Sequence, residues 1–355
     1  MRLAYLASAF LPLFVFSGVS VNAQTASPST ALLNSRAIAI NAATDKVYAV
    51  APRENAVAIF NPTTNSASSV LVGASPVAIA VNSATNRIYV VNSGDGTVAV
   101  LDGGNDSVIA TLDVGPNPYV VAANSVANKI YVSNTFSDVI TIIDGRTNSM
   151  SKMKGSSADA IAIDEKLGKI FLLGYENPNL IVLSATLPTT TKLRVGMHLW
   201  GMVLDQEKSK LYVTRSGNAE IAVVDEFSGS ITAIPTRTTP CAVAANSATN
   251  TLYVVNHTDD SVTAIDAVKS VAIATIKVGK RPQGIAVDPV RNRIYVANRN
   301  SDSISVIDGA QNSVLQTIQT GKNPFALVVN PRTGQLFVTT IAGPALSLVQ
   351  EGGGR

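Results

Sequence analysis

The chain has 355 residues, 46% hydrophobic and only 14% charged, which is ample material for a large core. A formal net charge of +3 is too small to argue for nucleic acid or an anionic membrane as partner. One Cys excludes an intrachain disulfide, and two His far apart in sequence argue against a His-based metal site.

The chain opens with Arg2, an apolar run from Leu3 to Val21, and Val21-Asn22-Ala23 before Gln24. A positive start, a hydrophobic region and a small-x-Ala site in that order predict a Sec signal peptide over residues 1–23, cleaved after Ala23. The mature protein is therefore expected in the periplasm or outside the cell. No second run of membrane length follows, and no Cys near the cleavage site invites lipid attachment. Gln24 to Asn34 is rich in Ser, Thr, Pro and Ala, a linker by composition.

From Arg36 onward one unit repeats. Its clearest copy spans Val72 to Gly115 and reads as four short strands: Val77–Val81 (A), Arg87–Val91 (B), Thr97–Leu101 (C) and Val108–Val114 (D). Each run is rich in Val, Ile, Ala and Tyr. Asn, Asp and Gly separate them, residues that tolerate the positive φ of tight hairpins. The strands are apolar on both faces, so both faces must be covered. A repeating four-stranded meander of this kind predicts an all-β fold, a β-propeller.

The strand-B aromatic counts the blades: Tyr48, Tyr89, Tyr131, Phe171, Tyr212, Tyr253, Tyr295 and Phe337. Their spacing of about 41 residues suits a propeller blade. Eight A–B–C sets precede the C-terminus, but only seven D strands. The sequence thus predicts eight blades in preference to seven, with residues near Thr25 to Leu33 supplying the missing strand of the last blade and closing the ring. A single propeller domain is expected over residues 24–351 and a short disordered tail over residues 352–355.

Tyr89-Val-Val-Asn92, Tyr131-Val-Ser-Asn134, Tyr253-Val-Val-Asn256 and Tyr295-Val-Ala-Asn298 resemble the signature of YVTN-family β-propeller repeats. The resemblance covers nearly all of the mature chain and departs most at Phe171-Leu-Leu-Gly174 and Tyr212-Val-Thr-Arg215. It implies a secreted surface propeller, mostly without a defined activity, and a family habit of seven blades. More distantly the chain resembles eight-bladed haem d1 propellers and lactonase-like propellers.

A Val-Gly-x-x-Pro phrase recurs between blades, with Pro76, Pro118, Pro240, Pro282 and Pro324 opening strand A. Blades four and five have Ala158-Asp159 and Leu199-Trp200 instead. The residue opening strand A varies completely where the scaffold does not: Arg36, Val77, Tyr119, Asp159, Trp200, Cys241, Gln283 and Phe325. Strand A is innermost in a propeller, so these residues are expected to ring one mouth of the channel. Nearby loops add His198, Arg215, His257, Lys280, Arg281, Arg299, Lys322 and Arg53, predicting a positive arc on blades seven, eight and one. The expected ligand site comprises Arg36, Tyr119, Asp159, Trp200, Gln283, Phe325, Arg281 and Arg299.

No Cys-x-x-Cys-His, phosphate loop or Gly-x-Ser-x-Gly elbow is present. No catalytic residue, metal or cofactor is assigned. Asp/Asn/Gly groups such as Asn92, Asp95 and Gly96 read as hairpin chemistry rather than calcium loops, and Asp102, Asp144, Asp225, Asp266 and Asp308 as turn caps. The expected function is a monomeric, non-catalytic binding or scaffold propeller. Its partner would be a small molecule, glycan or protein, with no nucleic acid and no membrane span. The alternative is a lactonase-like hydrolase using Asp159, Arg36 and His198, and behind it a haem d1-type redox propeller, which would need channel His ligands.

Overall fold

The computed structural model describes residues 31–32, 38–185, 189–342 and 346–349. The signal-peptide region, Arg36 and residues 352–355 lie outside the described residues. Eight antiparallel sheets follow one another along the chain. Blade two is typical, with strand A at Pro76–Asn82, B at Arg87–Asn92, C at Thr97–Asp102 and D at Val108–Asp113. Each strand A packs on the next around the ring, and that of blade eight, Lys322–Val329, returns to that of blade one, Ile38–Ile40. The fold is an eight-bladed β-propeller.

Burial follows position. Strand A is almost wholly buried and strand D mostly exposed. All eight strand-B aromatics are at most 1% exposed. They are the largest units of apolar area each blade puts between its neighbours, which is why their period survives where other positions drift.

Two local devices recur. The A–B turn of every blade contains one residue at positive φ: Asp45, Asn86, Asn128, Gly168, Ser209, Asn250, Asn292 and Gly334. Asp, Asn and Gly dominate because they bear this conformation at least cost. In three junctions an Asn at or just after the end of strand A reaches that turn in the following blade. Asn41 Nδ2 donates to Asn86 Oδ1 (2.6 Å), Asn82 to Asn128 (2.6 Å) and Asn246 to Asn292 (2.8 Å). The same contact closes the circle, with Asn330 Nδ2 donating to Asp45 Oδ1 at 3.0 Å.

The second device is a β-bulge at the start of strand A, at Pro76/Ala78, Pro118/Val120, Leu199/Met202, Pro240/Ala242, Pro282/Gly284 and Pro324/Leu327. Proline has no N–H for the ladder, so pairing slips there and the next side chain is re-aimed. Blade five bulges without a proline.

Of the segment Thr25 to Leu33 expected to complete the last blade, only Ala31 and Leu32 are among the described residues, and their pairing differs from that expectation. Ala31 and Leu32 pair antiparallel with Met202 and Gly201 in strand A of blade five, Leu199–Asp205, and not with the last blade. The last blade has three described strands, Lys322–Val329, Leu336–Ala342 and Ser347–Val349. The expectation counted the gap beside the last blade and overlooked the inner edges. Every strand A presents an edge to the channel, and Gly201, with no side chain, lets another backbone come close.

Candidate functional site at the channel mouth

The bulges re-aim the variable residues of six blades, Asp159 instead preceding an unbulged strand A, and the residues do not all present themselves alike. Phe325 is buried with Ile38, Ala326, Val328 and Phe337, part of the packing between the last blade and the first. Cys241 and Gln283 are also buried. The Cys241 thiol faces the Pro282 and Gln283 carbonyls at 3.9 and 3.8 Å, and complete burial pushes its pKa up to about 12. Val77, Tyr119, Asp159 and Trp200 are half-buried. The ring's side chains are therefore buried from blade six to blade eight and partly exposed from blade two to blade five.

Blades four and five bring two of the expected residues together through one that sequence reasoning missed. Tyr175, in the B–C loop of blade four, donates its backbone N–H to Asp159 Oδ2 at 2.8 Å. Its ring meets His198 edge-on at 5.3 Å and Trp200 edge-on at 5.6 Å, the geometry in which a positive ring edge faces a negative ring face. Burial raises the Asp159 pKa above the ordinary carboxylate value and nearby Glu176 adds to it, while the Tyr175 N–H pulls it back. The Trp200 indole N–H is buried and has no acceptor among the described residues. His198 is exposed and held at φ 55°. Its carbonyl accepts from the N–H and hydroxyl of Ser216, at 3.1 and 3.0 Å. The equivalent loop position is at positive φ in Ser75, Asn117, Thr239, Arg281 and Asn323 as well, so the conformation belongs to the blade scaffold and aims the His198 side chain outward. Arg215 fixes the same loop, donating to Val195 O at 2.8 Å and pairing with Glu220 at 3.0 Å.

Phe136 stands beside this cluster, in the B–C loop of blade three, 93% exposed and at φ 63°. Its N–H donates to Ser157 Oγ at 3.2 Å, two residues before Asp159. With Tyr119 at the start of strand A in blade three, aromatic rings from three consecutive blades share this face. A signal existed for Tyr175 and Phe136: they are aromatic residues away from the strand-B landmark.

The opposite arc is less positive than expected. Lys280 pairs with Asp260 at 3.0 Å and Lys322 with Asp302 at 2.5 Å. Both carboxylates come from the B–C loops, which the charge count left out. Arg281 is exposed at φ 49°, its backbone N–H held by Asp260 Oδ1 at 2.8 Å. Arg299 is half-buried, with no acceptor for Nε among the described residues. His257 Nδ1 lies 2.9 Å from the Pro282 carbonyl, which can only accept, so Nδ1 carries the hydrogen.

The loop aspartates act as turn caps. Asp102 Oδ1 accepts from the N–H groups of Gly104 and Asn105, and Asp144, Asp225, Asp266 and Asp308 repeat the pattern. Among the described residues no three His, Cys, Asp or Glu side chains are grouped to hold a metal ion. Nor is any helix among them long and apolar enough to cross a membrane.

Fold and mouth together define the class: an eight-bladed β-propeller with a partly exposed aromatic arc on one face. Residues 223–344 match the family model of YNCE-like beta-propellers. Solved structures similar to this chain include hydrazine synthase from Kuenenia stuttgartiensis, with 13% identity over 90% of this chain and 96% of that chain and a TM-score of 0.60. Dihydro-haem d1 dehydrogenase NirN in complex with DHE aligns at 13% identity over 90% of this chain and 72% of that chain, with a TM-score of 0.69. A streptogramin B lyase aligns at 14% identity over 77% and 93%, with a TM-score of 0.60. At such identities the likeness is one of fold. No curated protein matches the chain in sequence.

Proposed function

We propose that this protein is an exported, non-catalytic binding or scaffold propeller whose ligand sits at the mouth over blades three to five. The observation that carries this reading is Tyr175, which joins the carboxyl of Asp159 to the rings of His198 and Trp200 across a blade boundary. Aromatic faces beside a half-buried carboxyl suit a ligand with CH faces and hydroxyl groups, of which a glycan is the natural class. The pairing of Lys280 with Asp260 and of Lys322 with Asp302 reduces the positive charge that the opposite arc could offer to an anion.

Trp200 is the only Trp in the chain, so its fluorescence reports the site directly. Titration with a panel of oligosaccharides, with carboxylates and phosphates for comparison, should change its emission for a glycan. Tyr175→Ala should remove the response while leaving the melting temperature within a few degrees. A glycan response that Tyr175→Ala leaves intact would place the site elsewhere. Hydrolysis of a lactone that Asp159→Asn abolishes would favour the enzymatic reading instead. Export follows from the signal-peptide pattern. N-terminal sequencing of the extracytoplasmic protein should begin at Gln24, and retention of residues 1–23 would make them an anchor.

A further inference from the structure

On the face opposite the mouth, the A–B turns meet the residue that follows strand C. That residue is Pro62, Gly103, Gly145, Ala185, Glu226, Ala267 and Gly309 in blades one to seven. In blades two to seven its N–H donates to the positive-φ residue of the blade's own A–B turn, at 2.8–3.0 Å. Where two asparagines link the blades it is glycine, because a Cβ would lie 2.2, 2.0 and 2.1 Å from the asparagine Oδ1 at Gly103, Gly145 and Gly309.

Blades four and five replace all three partners at once. Asp164 stands for the donor asparagine, Ser209 for the acceptor and Glu226 for the glycine. Asp164 is fully buried, with Oδ1 accepting from the N–H groups of Lys166 and Leu167 at 2.8 Å each. Its Oδ2 has no donor among the described residues, and neither does either carboxyl oxygen of Glu226, itself 7% exposed. The two carboxyls lie against each other. Lys169 donates to the Glu226 backbone carbonyl, with its ammonium 5.5 Å over the Phe227 ring.

We propose that a proton carried by Glu226 and donated in a hydrogen bond to Asp164 joins blades four and five, making this junction a seam that weakens in alkali. Two ionised carboxylates are acceptors only and cannot bond to one another. Buried together, both cannot stay charged. A protonated Glu226 donates its O–H to Asp164 Oδ2 and does what the asparagine amide does at other junctions. The charged groups facing Glu226 are Asp164 and Lys169 on blade four and Asp225 on its own blade, Asp225 in turn facing Lys210. Burial first, then the Asp164 charge, raise the Glu226 pKa to about 8 from 4.5, against the pull of Lys169. The folded state thus holds an extra proton between those values. The contribution is complete below pH 4.5 and is lost as pH rises through about 8.

Infrared difference spectra and thermal melts of the full mature chain test this. At pH 6.5 the wild type should show a protonated-carboxyl carbonyl band that Glu226→Gln lacks. Its melting temperature should fall between pH 6.5 and pH 9.5, and Glu226→Gln, which keeps a donor at every pH, should lose most of that fall. So should the triple variant Asp164→Asn, Ser209→Asn, Glu226→Gly, which rebuilds the asparagine link. Absence of the band, or an undiminished fall in Glu226→Gln, overturns the proposal. So does calcium chloride raising the melting temperature of the wild type at pH 7 but not that of Glu226→Gln, since the pair would then hold a cation.

Discussion

Gly103 shows how tightly single residues are specified between blades. A methyl group there would stand 2.2 Å from Asn86 Oδ1 and 2.7 Å from Asn41 Nδ2, the two atoms that bond to each other. Gly103→Ala should therefore cost about 1–3 kcal/mol, as overpacking in a buried site does, read as a lower urea midpoint with unchanged slope. Adding Asn86→Ser should recover part of the loss, since Ser209 accommodates Glu226 in the same way. If the double variant were as unstable as the sum of its parts, the strain would lie elsewhere. Glycine was legible as turn punctuation from sequence. Its role as the floor under an asparagine pair was not, because those asparagines are 45 residues apart and belong to different blades.

At the scale of strands and turns, the junction between blade eight and blade one matters most, since the described chain offers no exchanged strand there. Asn330 is fully buried. It donates to Asp45 and accepts from the N–H groups of Arg332 and Thr333 at 2.9 and 3.2 Å. Arg332 also pairs with Asp45 but is mostly exposed. Buried hydrogen bonds outweigh exposed ion pairs. Asn330→Ala should cost about 1–3 kcal/mol, and Arg332→Ala markedly less, in paired denaturation curves. Burial pushes the Asp45 carboxyl up, but the Arg332 and Asn330 hydrogen bonds and the Arg332 charge outweigh it and hold the pKa below 3.8. The clasp is thus complete above pH 3.8 and lost as pH falls through that lowered pKa. A stability difference between wild type and Asp45→Asn at neutral pH should shrink in acid, and one that grew would contradict this. The blade count and the variable opening of strand A were readable because both repeat. The seat of Ala31–Leu32 and the bridge made by Tyr175 were not, since each occurs once and depends on which blades face each other.

Across the whole molecule the eight sectors are alike in backbone and unequal in chemistry, and the inequality gathers in blades four and five. Asp159 precedes and Asp164 ends one strand, Ala160–Asp164, with the aromatic cluster at its start and the carboxyl pair at its end. Whatever loosens that strand is felt on both faces. The sector formed by blades six and seven carries a different kind of marker. Cys241 is the only thiol in the chain and sits sealed beneath Pro282 and Gln283 of the next blade. An alkylating reagent can reach it when those blades part, so with fast reclosing the labelling rate is the opening equilibrium multiplied by the reactivity of a free thiol. Each added mass is then the record of one breathing event, and its dependence on urea tells whether the ring gapes at a single joint or comes apart entire.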